Sequence, residues 1–183
     1  RIELERSGPS ITLDTVMASV VPADYIRKSW EHTDQQFPKG ALHLRFTDNH
    51  EEPRAVARYG VNGALAAQVM MLMLDGVPLF YNGMEVGDAT ESADPALFEK
   101  MPVFWQSSGR PPLRDIYREL IKLRRQYAAL QNGEVVWREN TASEEVVSFM
   151  RQDASDTFLV LTNLSIRRAS GSRRSRGARS CAM

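Results

Sequence analysis

The first part of the chain alternates between two hydrophobic patterns. Five apolar residues recur at helical spacing: Leu13, Val16, Met17, Val20 and Val21. Pro22 suits the first turn of a second helix, which we expect over 23–31. The period then changes to two over 41–47, where apolar and polar residues alternate and predict a strand.

The pattern over 41–81 predicts one compact unit. A polar segment, 48–54, follows the strand, and Pro53 suits the start of a helix because it has no amide hydrogen to lose. Residues 61–74 are apolar on nearly every side, which indicates a buried helix. The short apolar run 77–81 suits a strand buried on both faces. Strand, helix and strand in this order predict a parallel βαβ unit.

The second half of the chain changes from helix to strand. A loop rich in Pro, Asp, Ser and Gly is expected over 85–112, and an amphipathic helix over 113–130. Three short strands follow, near 135–137, 146–149 and 158–161. We therefore expect an α/β part over 1–132 and an all-β part over 133–166. Residues 167–183 are rich in Arg, Ser and Gly, and we expect them to be disordered.

Charge and composition indicate which kinds of partner and site the protein is not expected to have. Six of the 23 basic residues and none of the 23 acidic ones lie in 167–183, which leaves residues 1–166 with a net charge of −6. An acidic main body favours neither nucleic acid nor an anionic membrane as a partner. No apolar stretch reaches the length of a membrane span. The histidines lack ligand-like spacing, so we expect no metal site, and no cofactor is implied.

The polar segment after the first predicted strand holds the candidate site. Ligands gather at the carboxyl ends of strands in parallel α/β folds. Asn49, His50 and Arg54 can hydrogen-bond sugar hydroxyls, and the carboxylate of Glu51 can stabilise an oxocarbenium-like transition state. Two alternatives remain open from these residues alone. The polar turn is also typical of a helix N-cap, and Arg54 suits a structural ion pair.

Two motifs resemble the α-amylase family of glycoside hydrolases. Its segment after barrel strand seven, Phe-x-x-Asn-His-Asp followed by Pro-Arg, is matched by Phe46, Asn49, His50, Glu51, Pro53 and Arg54. Its segment at strand eight, Gly-x-Pro-x-x-Tyr-x-Gly-x-Glu, is matched by Gly76, Pro78, Tyr81, Gly83 and Glu85. The two motifs stand in the family's order, with a helix of suitable length between them.

The resemblance implies the C-terminal portion of a (β/α)8 TIM barrel followed by an incomplete all-β domain. It also implies action on α-linked glucans or oligosaccharides with retention of configuration. The family's nucleophilic aspartate follows strand four and its acid glutamate follows strand five, and neither has a counterpart here. We therefore expect that the N-terminal half of the barrel is needed for a closed fold and that this chain alone is inactive.

One departure from the family pattern concerns the carboxylate after strand seven. The family has aspartate where this chain has Glu51, whose extra methylene displaces the carboxylate. Because of this change and the missing carboxylates, a non-catalytic carbohydrate-binding or interaction protein is the alternative function. Trp105, in the long loop, suits either a sugar-stacking position or a packed loop anchor.

Overall fold

The computed structural model describes residues 13–50, 52–90, 100–105, 113–165 and, for the backbone, 179–181. The helices are α1 (Leu13–Met17), α2 (Tyr25–Gln36), α3 (Ala55–Met73), α4 (Leu113–Gln126) and α5 (Ala128–Asn132), with a short 3-10 helix at Met84–Val86. The strands are β1 (Leu44–Arg45), β2 (Val77–Pro78), β3 (Glu134–Trp137), β4 (Val146–Gln152), β5 (Thr157–Asn163) and β6 (Arg179–Cys181).

The predicted βαβ unit is confirmed. β1 and β2 pair in parallel, with Leu44 opposite Val77, and α3 connects them. Both strands are shorter than the sequence predicted, and within the described ranges each of the two pairs only with the other. The prediction that the second strand is buried on both faces is wrong, because Val77 is exposed. Leu44 and Val77 remain 39% and 47% exposed, so one apolar face of this sheet is uncovered by the described residues.

α3 joins two predicted helical segments into one helix with a kink. Gly60 adopts φ 67° and ψ 175° inside it, a conformation that only glycine takes without strain. After the kink the helix is almost wholly apolar, and Ala67, Met70 and Leu72 are fully buried. α3 is therefore the central core helix of the α/β part, as its pattern predicted.

Two buried arginines hold the C-terminal end of α3. Arg124 of α4 donates to the carbonyl oxygens of Leu74 and Gly76 at 2.9 and 2.7 Å. Arg151 of β4 donates to the carbonyl oxygen of Met73 at 2.7 Å, and burial lowers its pKa to about 10. A helix C-terminus attracts cations, and its last carbonyl groups need donors. These hydrogen bonds connect the C-terminal end of α3 to both α4 and the β-sheet.

The predicted helix over 113–130 is wrong at Tyr127. This residue has φ −117° and ψ 121°, which is extended backbone, so α4 ends at Gln126 and α5 begins at Ala128. The Tyr127 ring packs against Phe158 of β5 with the ring centroids 4.8 Å apart. The helix is thus interrupted where Tyr127 packs against the sheet, and the helical spacing of apolar residues did not indicate this interruption.

The four-stranded sheet has the order β3-β4-β5-β6, and its first three strands are antiparallel. The sequence predicted these three strands but not the direction of their pairing. β6 pairs in parallel with β5. The prediction of disorder over 167–183 is therefore wrong at Arg179–Cys181, because their backbone groups extend the sheet. Residues 167–178, 182 and 183 lie outside the described residues.

We expect substitution of Gly76 by alanine to disrupt the β1–β2 pairing. Gly76 has φ +90°, and an added Cβ would lie 2.3 Å from the carbonyl oxygen of His43, which accepts the Val77 amide hydrogen at 2.8 Å. Gly76→Ala should lower the free energy of unfolding by about 3 kcal/mol or more, measured by urea unfolding.

Gly40→Ala is the matched control for this substitution. Gly40 has nearly the same φ, +87°, but no atom lies within 4 Å of the added Cβ. It should cost only about 1 kcal/mol, the backbone penalty alone. Equal losses in the two variants would contradict the importance of the close approach between Gly76 and His43.

Candidate functional site

The two loops that follow β1 and β2 meet at one edge of the parallel pair. We call residues 46–54 the β1 loop and residues 79–90 the β2 loop. Because parallel strands present their carboxyl ends at the same edge, these loops are neighbours. The side chain of Arg54 in the β1 loop donates to the carbonyl oxygen of Asn82 in the β2 loop at 2.9 Å. The residues of both sequence motifs are thus brought together.

Two residues of the β1 loop accept hydrogen bonds from backbone groups that follow them. Asp48 is 2% exposed, and its Oδ1 accepts the backbone N–H of Ala55 at 2.9 Å. Asn49 Oδ1 accepts the backbone N–H of Glu52 at 2.8 Å. The Asp48 bond satisfies the first amide group of α3, which has no partner within the helix. Glu52 precedes α3, so the Asn49 bond closes a turn within the loop. The capping interpretation therefore holds for Asp48 and not for Asn49, whose side-chain nitrogen is not used by its bond to Glu52.

His50 is the exposed member of the motif. The residue is exposed to solvent. Asn49, next to it, is half-buried. The sequence-predicted Glu51 lies outside the described residues. His50 is thus exposed beyond the end of β1, where the sequence predicted that the substrate binds.

Arg54 lies beneath this surface and bridges two carboxylates. It is 5% exposed, with Nη1 3.7 Å from Asp48 Oδ2 and Nη2 3.3 Å from Asp88 Oδ2. Its guanidinium also lies over the Tyr81 ring, 4.5 Å from the centroid. Of the two roles that the sequence left open for Arg54, the geometry supports the structural one. Its partners among the described residues are Asp48 and Asp88.

Gly83 provides the space for this ion pair. A Cβ at this position would lie 3.3 Å from Arg54 Nη2 and 3.1 Å from Asp88 Cβ. Gly83 also has φ +96°, which side-chain-bearing residues rarely adopt. Gly83, in the second motif, therefore allows the β2 loop to pack closely against Arg54.

Burial raises the pKa of two ionisable groups beneath the site, Asp48 and Tyr117. The pKa of Asp48 is raised because burial penalises the charged carboxylate, although the Ala55 amide and Arg54 oppose the shift. The pKa of Tyr117, on α4, is raised mainly by burial and further by Asp48 and Glu85. Tyr117 packs edge-on against Phe80, with the ring centroids 5.6 Å apart. The groups beneath the site are thus buried, and Tyr117 is packed against Phe80.

Sequence reasoning missed Asp88 and Tyr117. Asp88 is 2% exposed and completes the Arg54 ion pair, but it stands outside both motifs. Its position directly after Gly87, just beyond the second motif, did not reveal this contact with Arg54. Tyr117 looked like an ordinary core residue of an amphipathic helix. Contacts across such long separations in sequence leave no periodic signal.

Trp105 and Phe104 lie side by side at the end of a described stretch of the long loop. They are 48% and 56% exposed, and neither forms a ring contact with another aromatic residue in the described stretches. Much of that loop, residues 91–99 and 106–112, lies outside the described residues. The two possibilities for Trp105 therefore both stand.

Two further observations concern the described part of the chain. No group of three or more His, Cys, Asp or Glu side chains in it is arranged to hold a metal ion. None of its helices combines the length and apolar character needed to cross a bilayer.

Comparison with known proteins identifies the family. Residues 10–158 match the sequence model of the α-amylase catalytic domain. The chain belongs to the α-amylase family of glycoside hydrolases. The matched range includes both motifs and the Arg54–Asp88 ion pair, and it ends inside β5. The family resemblance carried by the two motifs is thereby confirmed.

Individual members of the α-amylase family are similar to this chain. Alpha-amylase 2 of Dictyoglomus thermophilum is 23% identical over 171 residues, covering 84% of this chain and 30% of that protein. A maltogenic α-amylase from Thermotoga neapolitana has a TM-score of 0.67 at 24% identity, covering 82% of this chain and 35% of that one. A cyclomaltodextrin glucanotransferase, CldA, has a TM-score of 0.64 at 25% identity, with 83% and 31% covered.

The α/β fold of this family member is therefore that of TIM-barrel enzymes. The chain spans about a third of the length of each of the three relatives named above.

We expect Arg54→Lys to destabilise the protein although the charge is kept. A lysine ammonium lacks the planar fork with which Arg54 reaches Asp48, Asp88 and the Asn82 carbonyl together. Leaving a buried carboxylate without its partner costs about 3 kcal/mol or more in free energy of unfolding. Urea unfolding followed by tryptophan fluorescence measures this loss.

Arg118→Lys is the control for the Arg54 variant. Arg118 also pairs with an aspartate, Asp115, but both side chains are more than half exposed. The change there should cost less than about 0.5 kcal/mol. A loss at Arg54 as small as that at Arg118 would contradict the bridging role.

Proposed function

We propose that this chain forms the C-terminal part of the catalytic barrel of a retaining enzyme that acts on α-linked glucans. In this proposal β1 and β2 are barrel strands seven and eight, and β3–β5 begin the β-domain that follows the barrel. One observation carries the proposal: Asn49 and His50 follow β1, which pairs in parallel with β2, in a chain that matches the α-amylase catalytic domain.

The chemistry of the β1 loop supports sugar recognition. The exposed His50 ring and the Asn49 amide can hydrogen-bond neighbouring hydroxyl groups of one glucose ring. The carboxylate of Glu51, in the motif position of the family's aspartate, would stabilise the positive charge that develops on the sugar. The loop therefore binds the substrate and assists the transition state, and it does not break the bond.

Bond cleavage needs two more carboxylates. A retaining glycosidase uses a nucleophile and an acid/base about 5 Å apart. These follow barrel strands four and five in the family, and the motifs of this chain match only strands seven and eight. We propose that both carboxylates come from outside these 183 residues and that the chain alone is inactive. The exposed Leu44 and Val77 support this, because a closed barrel would cover them.

Hydrolysis and transglycosylation remain equally compatible with the β1 loop. The two reactions use the same carboxylates and differ in whether water or a sugar hydroxyl attacks the covalent intermediate. The named relatives include a maltogenic α-amylase and a cyclomaltodextrin glucanotransferase. The alternative of a non-catalytic carbohydrate-binding protein is favoured by one observation, the presence of Glu51 where the family has aspartate.

A chimaeric enzyme tests the proposed activity. The 183-residue chain would replace the matching segment of the Dictyoglomus thermophilum relative. We expect the chimaera to turn over an α-glucan, measured by reducing-end release or cyclic-product formation. His50→Ala should lower its kcat/KM by about 100-fold because a hydrogen bond to the transition state is lost.

His32→Ala is the matched control in the chimaera. His32 is also a surface histidine, on α2, with its ring 2.9 Å from the Gln36 side chain. Its removal should leave kcat/KM unchanged. A folded chimaera whose activity is insensitive to His50→Ala would refute the assignment of the β1 loop.

Substitution of Glu51 separates the enzyme from the binding protein. A displacement of a catalytic group by about 1 Å costs on the order of 100-fold in rate. We therefore expect Glu51→Asp to raise kcat in the chimaera by about 10- to 100-fold, while glucan affinity changes little. An unchanged or lower kcat would contradict this. Glucan binding by the chimaera without turnover by either form would favour the carbohydrate-binding alternative.

A further inference from the structure

We propose that Asp88 is a positioning residue for the β1 loop. Through Arg54 it fixes Asp48, and through Asp48 it fixes the segment that carries Asn49 and His50. The β2 loop thereby sets the geometry with which the β1 loop meets a sugar. The sugar-binding part of this inference rests on the proposed function, and the mechanical coupling does not.

The coupling begins with the way Asp88 is held. Its Oδ1 accepts two hydrogen bonds from Thr90, from the backbone N–H at 3.1 Å and from the hydroxyl at 2.7 Å. Its Oδ2 faces Arg54 Nη2 at 3.3 Å. One oxygen is thus anchored in the β2 loop, and the other is directed at the β1 loop. Asp88 contacts Arg54 rather than the surface, since it is 2% exposed.

Arg54 carries the constraint across the loops. Its guanidinium is planar and rigid, so fixing Nη2 at Asp88 also fixes Nη1. Nη1 lies 2.9 Å from the Asn82 carbonyl oxygen and 3.7 Å from Asp48 Oδ2. All three charged side chains are nearly inaccessible to solvent, where an unpaired charge is costly. Loss of Asp88 therefore leaves Arg54 with Asp48 as its one remaining carboxylate in the described cluster.

Asp48 transmits this change to the exposed part of the loop. It is followed directly by Asn49 and His50, and it caps the backbone N–H of Ala55. The turn between them is closed by the bond from the Glu52 amide to Asn49 Oδ1. Asn49 and His50 therefore lie in the chain between Asp48 and Arg54, which belong to the same ion-pair cluster. A shift of Arg54 toward Asp48 changes the positions of the residues on both sides of them.

Asp88→Asn tests the coupling in the 183-residue chain. The asparagine keeps the size of the side chain but removes the charge that attracts Arg54. We expect hydrogen exchange of the Ala55 amide to accelerate at least tenfold and the His50 ring signals to shift in NMR spectra. Amides of β4 and β5 should retain their exchange rates.

Asp75→Asn is the matched control. Asp75 also joins a buried arginine, Arg45, at 2.9 Å, and it accepts the Trp30 indole N–H at 2.8 Å. It precedes β2 and so lies at the opposite edge of the same unit. This variant should lower stability yet leave the Ala55 exchange and the His50 ring signals unchanged. Equal shifts in both variants would overturn the positioning role, as would unchanged signals in a folded Asp88→Asn protein.

Two further measurements test the coupling if Asp88→Asn does not fold and separate it from the proposed function. If Asp88→Asn does not fold, Thr90→Val removes one hydrogen bond to Asp88 and keeps its charge, and it should shift the same signals by less. Unchanged signals in this variant would then overturn the proposal. In the chimaera, Asp88→Asn should lower kcat/KM for glucan about tenfold relative to Asp75→Asn. If the NMR shifts occur but the chimaera never turns over glucan, the coupling stands and the proposed function fails.

Discussion

The ion pair of Arg54 with Asp48 and Asp88 is the interaction on which the candidate site depends. It joins the two loops that carry the family motifs, and it does so out of contact with water. Charges in such an environment are tolerated only when they are paired and well oriented. The glycine at position 83 is part of the same constraint because any side chain there would crowd Arg54 and Asp88. The exposed part of the β1 loop therefore depends on buried charged side chains, which do not contact the sugar in the proposed function.

A second set of buried cations supports the opposite edge of the same unit. Arg45 binds Asp75, whereas Arg124 and Arg151 donate to carbonyl groups at the end of α3. The helix dipole and its unpaired carbonyl groups make this end a good partner for positive charge. The α3 helix is thus fixed at its start by Asp48 and at its end by arginines from α4 and β4. Such a fixed helix lets the two strand-end loops keep a constant relation to each other.

The sequence predicted the parts of this arrangement that depend on local patterns. Alternation over 41–47 and the apolar run after Gly76 indicated the parallel strands, and the motif order placed Asn49 and His50 beyond the first strand. It could not identify the partner of Arg54, because Asp88 lies far along the chain and carries no periodic signal. Arg124 resembled one more surface cation of an amphipathic helix, yet it is 8% exposed. The break at Tyr127 was hidden for a related reason, since its ring packs on a strand thirty-one residues later.

In the proposed enzyme the β1 loop contacts the glucan while Arg54 remains beneath it. A crystal structure of the chimaera with a maltooligosaccharide tests this directly. We expect Asn49 and His50 within about 2.6–3.2 Å of hydroxyl groups on one glucose ring, with Arg54 still between Asp48 and Asp88. A sugar bound elsewhere, with no contact to the β1 loop, would contradict it.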